Sequence, residues 1–440
     1  MNIISLPAAS SSENLQALAE VSDFGLTDMG YSGQGPWPYR ILQEPLLTEE
    51  LARMSKAKSY SSGVDVVSLQ PCPSHVSRSQ DRYVVEQWAL PDGDWHFNGV
   101  FDGHLNHHTV DFVVRSLPND IKEALQTVET SETSTPPARI SEILHAAILR
   151  LDNAISSQFL DILPGNLQEV DDSDIRRLFH SGGSGDTANF EIAARSLGGT
   201  TLVLSLTDSR KNLWIVNLGG ELTHYLALGA VLMLEDCQAV LGYRSHGTWR
   251  GARVNCVHDA KNHSELLRLR REHPNEDEVV RDNRIIGFLE PTRAIGDTWL
   301  KLPALYASRV YSNIKQPWIS PEQFHRYAQR IRTPPYVSNV PDVHHHVLPD
   351  SPYFILLASD GLSSAGQQLN AQKSVERWVK VTGEALDSCS TKNCNAALCL
   401  LRDVMGGEDV DLVSRNLTVE MEEKWMDDTT ILIQVGCIRG

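Results

Sequence analysis

The 440-residue chain has no run of 18 apolar residues, which excludes a transmembrane helix of ordinary length. Basic residues are scarce: 39 Lys and Arg stand against 56 Asp and Glu, a formal charge of −17. That balance disfavours non-specific nucleic-acid binding and anionic membrane surfaces, which need basic patches. It also implies that an anionic ligand is held through metal ions or a local basic spot. No Arg precedes Arg40 and no basic stretch opens the chain. The N-terminus thus resembles neither a secretory signal nor a mitochondrial transit peptide. The seven cysteines include no Cys-x-x-Cys pair and read as reduced thiols, which points to the cytoplasm or nucleus. Cys389, Cys394 and Cys399 are five apart, fall on different helix faces and suit no metal site. What remains is ordinary: 41% hydrophobic and 22% charged residues describe a folded chain with one large core or two or three small ones.

Residues 1–59 read as an N-terminal extension and 60–440 as the main domain. A long amphipathic helix is predicted where Ile140, Ile143, Leu144, Ala147, Ile148, Leu151, Ile155 and Phe159 recur at helical spacing. Others are predicted at 109–125, 264–272, 321–331 and 393–404. Short β-branched and aromatic runs predict strands at 95–101, 200–206, 213–218, 353–358 and 429–435. Segments 129–137 and 164–189 read as loops. Strands adjacent in sequence imply antiparallel hairpins. The fold class expected is α+β, an antiparallel β-sandwich flanked by helices on both outer faces.

Acidic residues stand at the ends of these strands. One apolar run leads into Asp102-Gly103, another into Asp360-Gly361, and Asp427-Asp428 precedes the last strand. A carboxylate so placed has little freedom, as a hard oxygen-seeking cation requires, and the glycine lets its own backbone approach closely. Asp-Gly is also a common turn pair, and Asp92-Gly93 reads as one. On pattern alone the turn and the metal site both stand.

Read in order, the segments resemble the type 2C metal-dependent protein phosphatase family. The motifs are Phe101-Asp102-Gly103-His104, Ser196-Leu197-Gly198-Gly199-Thr200-Thr201, Arg293-Ala294-Ile295-Gly296-Asp297, Ala358-Ser359-Asp360-Gly361 and Asp427-Asp428-Thr429-Thr430. The stretch 258–297, with Ser79-Gln80-Asp81-Arg82 and Thr333-Pro334-Pro335-Tyr336, is most similar to the branch containing pyruvate dehydrogenase phosphatase. The resemblance makes 60–440 a catalytic domain that hydrolyses phosphoserine and phosphothreonine in phosphoprotein substrates. It implies two Mg2+ or Mn2+ ions per chain. Asp102 would bridge them, helped by the Gly103 carbonyl, Asp360 and Asp427 would hold one, and Asp81 would orient the other through its hydration shell. His104 would be the general acid, unless it is a solvated helix-start histidine beside His107 and His108. In Arg293–Asp297 the Arg–Asp pair is expected to brace a loop. His344, His345 and His346 read as surface residues, since neighbours on a strand face opposite ways.

The sequence departs from that family at three places. Gln80 replaces a usual Glu. The phosphate-contacting position falls on Val76, with Arg78 or Arg82 as substitutes. Residues 220–235 interrupt what reads as a tight hairpin, Asn217-Leu218-Gly219 joined to Asp236-Cys237-Gln238. They are taken as an insertion or a retained intron, since Gly220-Glu221 suits a splice-site codon run. Asp236 is then the acidic residue of a possible third metal. These departures leave open a phosphatase-fold pseudoenzyme that binds phosphoproteins without turnover.

Overall fold

The computed structural model describes residues 23–72, 78–128, 136–180, 184–219, 237–256, 258–364, 371–388, 394–421 and 424–436. Strands β1 (Phe24–Thr27), β2 (Trp37–Arg40), β3 (Lys58–Tyr60), β4 (Val64–Leu69), β5 (Asp81–Leu90) and β6 (Gly93–His104) come first. Next are β7 (Gly199–Thr207), β8 (Asn212–Leu218), β9 (Gln238–Ser245) and β10 (Thr248–Arg253). Three two-residue strands follow, β11 (Val280–Arg281), β12 (Arg284–Ile285) and β13 (Ile295–Gly296). Then come β14 (Asp342–Val347), β15 (Tyr353–Ala358) and β16 (Thr429–Gly436). Helices α1 (Leu46–Met54), α2 (His108–Gln126), α3 (Pro137–Asp161), α4 (Asp172–His180), α5 (Ser184–Leu197) and α6 (His263–Glu272) precede six more. These are α7 (Thr298–Lys301), α8 (Pro321–Ala328), α9 (Gly361–Ser364), α10 (Ala371–Ser388), α11 (Ala396–Met405) and α12 (Val410–Thr418).

The described residues form two compact units, 80–360 with 434–436, and 23–79 with 361–433. In the larger, an antiparallel sheet runs in the order β14-β8-β7-β6-β5. A second antiparallel set, β10-β9-β15, lies across it, with β15 packed over β6 and β7. Every residue of β7 is buried, as expected of a strand covered on both faces. Helices α2 and α3 cover the outer face of the five-stranded sheet. Their stripes, Val110, Val113, Leu117 and Ile121 with Leu144, Ile148 and Ile155, pack on Phe97, Phe101, Leu202 and Val216. Each such side chain contributes about 1.5–3 kcal/mol by leaving water. In the smaller unit β3 pairs antiparallel with β4, and α11 packs on β4. Tyr39 Oη donates to Asp411 Oδ1 at 3.1 Å and Leu42 N–H to Ser414 Oγ at 3.1 Å, so residues 39–42 are tied to α12. The architecture is of the expected α+β class, antiparallel sheets with helices on their outer faces.

Each helix and strand predicted from periodicity is present, within a few residues at its ends. Three expectations are corrected. Segment 164–189 is not a plain loop: α4 buries Ile175 and Phe179, and α5 begins at Ser184. The connection from Asn217 to Gly242 is not a hairpin, because β8 pairs with β7 and β14 whereas β9 pairs with β10 and β15. The chain changes sheets there; the insertion read at 220–235 lies outside the described residues. Cys394 is disulfide-bonded, which corrects the reading of all seven cysteines as reduced. Cys72, Cys237, Cys256 and Cys399 are free.

Candidate active site

The register of β5 on β6 sets Asp81 directly opposite Asp102. Asp81 is 4% exposed, and Asp360, at the end of β15, is 1% exposed. Asp102 stands opposite Thr201 on β7, and Thr201 Oγ1 is 3.4 Å from the sulfur of buried Cys237. Burial pushes the Cys237 thiol well up, and the charges of Asp102, Asp360 and Asp81 add to that. Three carboxylates therefore act on one buried point. Like charges directly opposite one another on paired strands are destabilising, and buried charge needs compensation. An all-oxygen set of this kind fits a hard divalent cation.

Neighbouring groups fix the orientation of these donors. Ser359 Oγ donates to Asp81 Oδ2 at 2.6 Å, and Thr200 Oγ1 donates to the Asp102 carbonyl at 2.9 Å. Gly103 N–H donates to Gln80 O at 3.3 Å. A Cβ on Gly103 would stand 2.8 Å from Val110 Cγ1 and 3.1 Å from Gln80 O, so packing demands the glycine. Arg82 Nε donates to Asp111 Oδ1 at 2.7 Å and its Nη1 to the Asp81 carbonyl at 2.7 Å. Of the residues read as phosphate contacts, Arg82 thus stands beside Asp81 but is engaged with Asp111. Val76 lies outside the described residues, as does Asp236.

His104 ends β6 with its ring turned inward: Nε2 lies 2.7 Å from Asp297 Oδ2, and both residues are buried. Gly199 makes room for the pair, since a Cβ there would collide with Asp297 Oδ2 and His104 Nε2. Asp297 sits in the left-handed region at φ 48°, ψ 37°, with its N–H donating to Gly198 O at 2.9 Å. A non-glycine residue held there costs free energy that the surroundings must supply. The expected Arg293–Asp297 pair is absent among the described residues. Arg293 instead donates to Glu265 Oε1 at 2.5 Å and Asp342 Oδ1 at 3.0 Å. The His104–Asp297 contact joins positions 193 residues apart, and no local spacing signals it.

Asp427 belongs to the smaller unit, just before β16, where its Oδ1 accepts from Asp428 N–H at 2.7 Å. Asp428 is buried and takes Lys424 Nζ at 2.6 Å. Gly361 is required beside them, since a Cβ there would collide with Asp428 O. On β14 the histidines alternate as expected: exposed His345 packs on Trp214, 5.1 Å between ring centres, while His344 and His346 are half-buried.

Residues 233–400 match the model of the family Protein phosphatase 2C. A protein phosphatase 2C homolog of Schizosaccharomyces pombe is 26% identical over 392 residues, 84% of this chain and 78% of the relative. The mitochondrial pyruvate dehydrogenase [acetyl-transferring] phosphatase 1 of Saccharomyces cerevisiae is 25% identical over 291 residues, 65% of this chain and 45% of its own length. The chain thus spans less than half of that relative. A serine-threonine phosphatase 2C structure from Toxoplasma gondii aligns with TM-score 0.44 at 16% identity, over 86% of this chain and 96% of that one. By its family-model match over residues 233–400, its relatives and five motifs in order, the chain is similar to the type 2C protein serine/threonine phosphatases. It is likewise similar to the pyruvate dehydrogenase phosphatase branch.

Proposed function

We propose that this chain hydrolyses phosphoserine and phosphothreonine in protein substrates with two divalent ions, Mg2+ or Mn2+. The observation that supports this most directly is the register that sets Asp81 opposite Asp102, with Ser359 Oγ, next to Asp360 in the chain, donating to Asp81 Oδ2 at 2.6 Å. Asp102 and the Gly103 carbonyl would hold both ions, Asp360 one of them, and Asp81 would orient the hydration of the other. Asp427 joins this set, and Asp236 a third position, on the family resemblance. Ions bound there neutralise phosphate charge and make water a better nucleophile near neutral pH. His104 has Nε2 committed to Asp297, so the proton for the departing serine or threonine oxygen comes from Nδ1. Asp297 orients the ring.

Phosphoproteins are the partners in this reading, and neither nucleic acid nor membrane has a role. Among the described residues no helix is long and apolar enough to cross a membrane. A cytoplasmic or nuclear address belongs to the same proposal, whereas the named pyruvate dehydrogenase phosphatase relative is mitochondrial. Imaging the tagged full-length chain decides between them.

The enzymatic test uses the full chain, a phosphothreonine peptide and Mn2+. Hydrolysis should disappear on chelation, and fall by more than about 10²-fold in Asp102→Ala and Asp360→Ala. Turnover that persists in folded Asp102→Ala would refute the site assignment. A metal-loaded wild type that binds phosphopeptide without hydrolysis would make the chain a binding module instead.

A further inference from the structure

Away from the carboxylate centre, the larger unit brings together Cys256, which follows β10, and Asp342 and His344 on β14. One donor atom from each lies within 4.8 Å of the other two. Asp342 and His344 are two apart on a strand and project from one face. Asn217 on β8 stands opposite Asp342, and its Nδ2 donates to the Cys256 carbonyl at 2.6 Å. The same asparagine thus anchors the backbone that presents the thiol and neighbours the strand that presents the other two donors.

The carboxylate is already oriented. Asp342 Oδ2 accepts from His258 Nε2 at 2.8 Å, and Oδ1 accepts from Arg293 Nη1 at 3.0 Å. Each carboxylate oxygen has two acceptor positions, so each keeps one for an ion. His344 Nε2 is shut off from solvent and has no hydrogen-bond partner among the described residues. Shielded polar atoms nearly always have partners, and an ion bound by this ring through Nε2 would supply the missing one.

We propose that Cys256, Asp342 and His344 form a second metal site, for a zinc-class divalent ion with water as its fourth ligand. Thiolate, imidazole and one carboxylate make a tetrahedral set of the kind Zn2+ takes. Soft sulfur and imidazole also select against Mg2+ and Mn2+, which separates this site from the all-oxygen one. His258 and Arg293 act as outer partners that fix the carboxylate, as metal sites commonly require.

The test strips the full-length protein with chelator and titrates it with Zn2+ by equilibrium dialysis and with Co2+ by absorption. Wild type and Asp102→Ala should both bind a zinc ion that Cys256→Ser and His344→Gln lose, or hold at least about 100-fold more weakly. The Co2+ form should show a thiolate-to-metal band that is missing in Cys256→Ser. Cys256 is exposed, so its replacement leaves the metal-free melting temperature unchanged and reports on binding alone. Zinc binding undiminished in folded Cys256→Ser, or a cobalt spectrum without a cysteine-dependent band, would overturn the site.

Discussion

Single atoms decide much of this centre, and Gly199 is the clearest instance. Any side chain there would strike both members of the His104–Asp297 pair. Gly199→Ala should therefore lower kcat by about 10²-fold, the usual contribution of a positioned acid, with less change in KM. Steady-state kinetics on the folded variant check this; an unchanged kcat would show that the pair is dispensable. Glu265 carries a second prediction. Burial alone would raise its carboxyl, but hydrogen bonds from Arg293, Arg268 and Thr292 hold it at about 2 instead of 4.5. A depressed folded value means that the unfolded chain binds the proton more readily. The stabilisation is whole above about pH 4.5 and is lost as pH falls towards 2. Glu265→Gln should cost about 1–3 kcal/mol at pH 7, by leaving two guanidinium groups under-satisfied, and much less near pH 3. Urea unfolding at both pH values measures it, and a pH-independent difference would reject the account.

At the scale of elements, α3 shows how a legible helix can hide its polar task. Its apolar stripe predicts the helix from sequence, yet Asp152 lies within that stripe and is 1% exposed. Its Oδ1 accepts Gly296 N–H at 2.8 Å and Lys301 Nζ at 2.7 Å, and Oδ2 accepts Asn339 Nδ2 at 2.8 Å. One carboxylate thus joins α3 to β13 and to α7, the segments flanking Asp297. Asp152→Ala strands the Lys301 ammonium and should cost about 3–5 kcal/mol, whereas adding Lys301→Met should recover part of it. Equal losses in the single and double variants would deny the coupling. Other elements are legible in proportion to their periodicity. The strands ending in Asp102 and Asp360 stand out because apolar runs stop at Asp-Gly. Helix α4 does not, since its two buried anchors, Ile175 and Phe179, sit in a stretch rich in Gly, Ser and Asp. The crossing from β8 to β9 reads as a hairpin because a short Asn-x-Gly turn has the same sequence form whether it closes a hairpin or changes sheets. The Arg-Ala-x-Gly-Asp motif suggests pairing Asp297 with Arg293, whereas its actual partner, His104, comes from β6.

For the molecule as a whole, the sheet change at β8–β9 makes residues 220–235 a test of architecture. The flanks of the segment meet at one side chain. A Cβ on Gly219 would stand 2.6 Å from Thr201 Cγ2, and Thr201 Oγ1 lies 3.4 Å from Cys237 Sγ. With 220–235 removed, Asp236 alone joins Gly219 to Cys237, a reach of up to roughly 7 Å for two successive Cα steps. Shortening a closed loop by about four doublings removes roughly 2–3 kcal/mol of closure entropy. None of the described site residues lies within the deleted segment. The shortened protein should therefore fold, melt no lower than the full chain, and hydrolyse a phosphothreonine peptide in Mn2+ at least as fast. Transcripts lacking these codons would identify the segment as an intron, and the deletion would then reproduce a natural form. A shortened chain that aggregates, or melts more than about 10 °C lower, would mean that 220–235 is integral to the fold. At about 2–4 °C per kcal/mol for a domain of this size, that shift would exceed the entropy gained by shortening the loop.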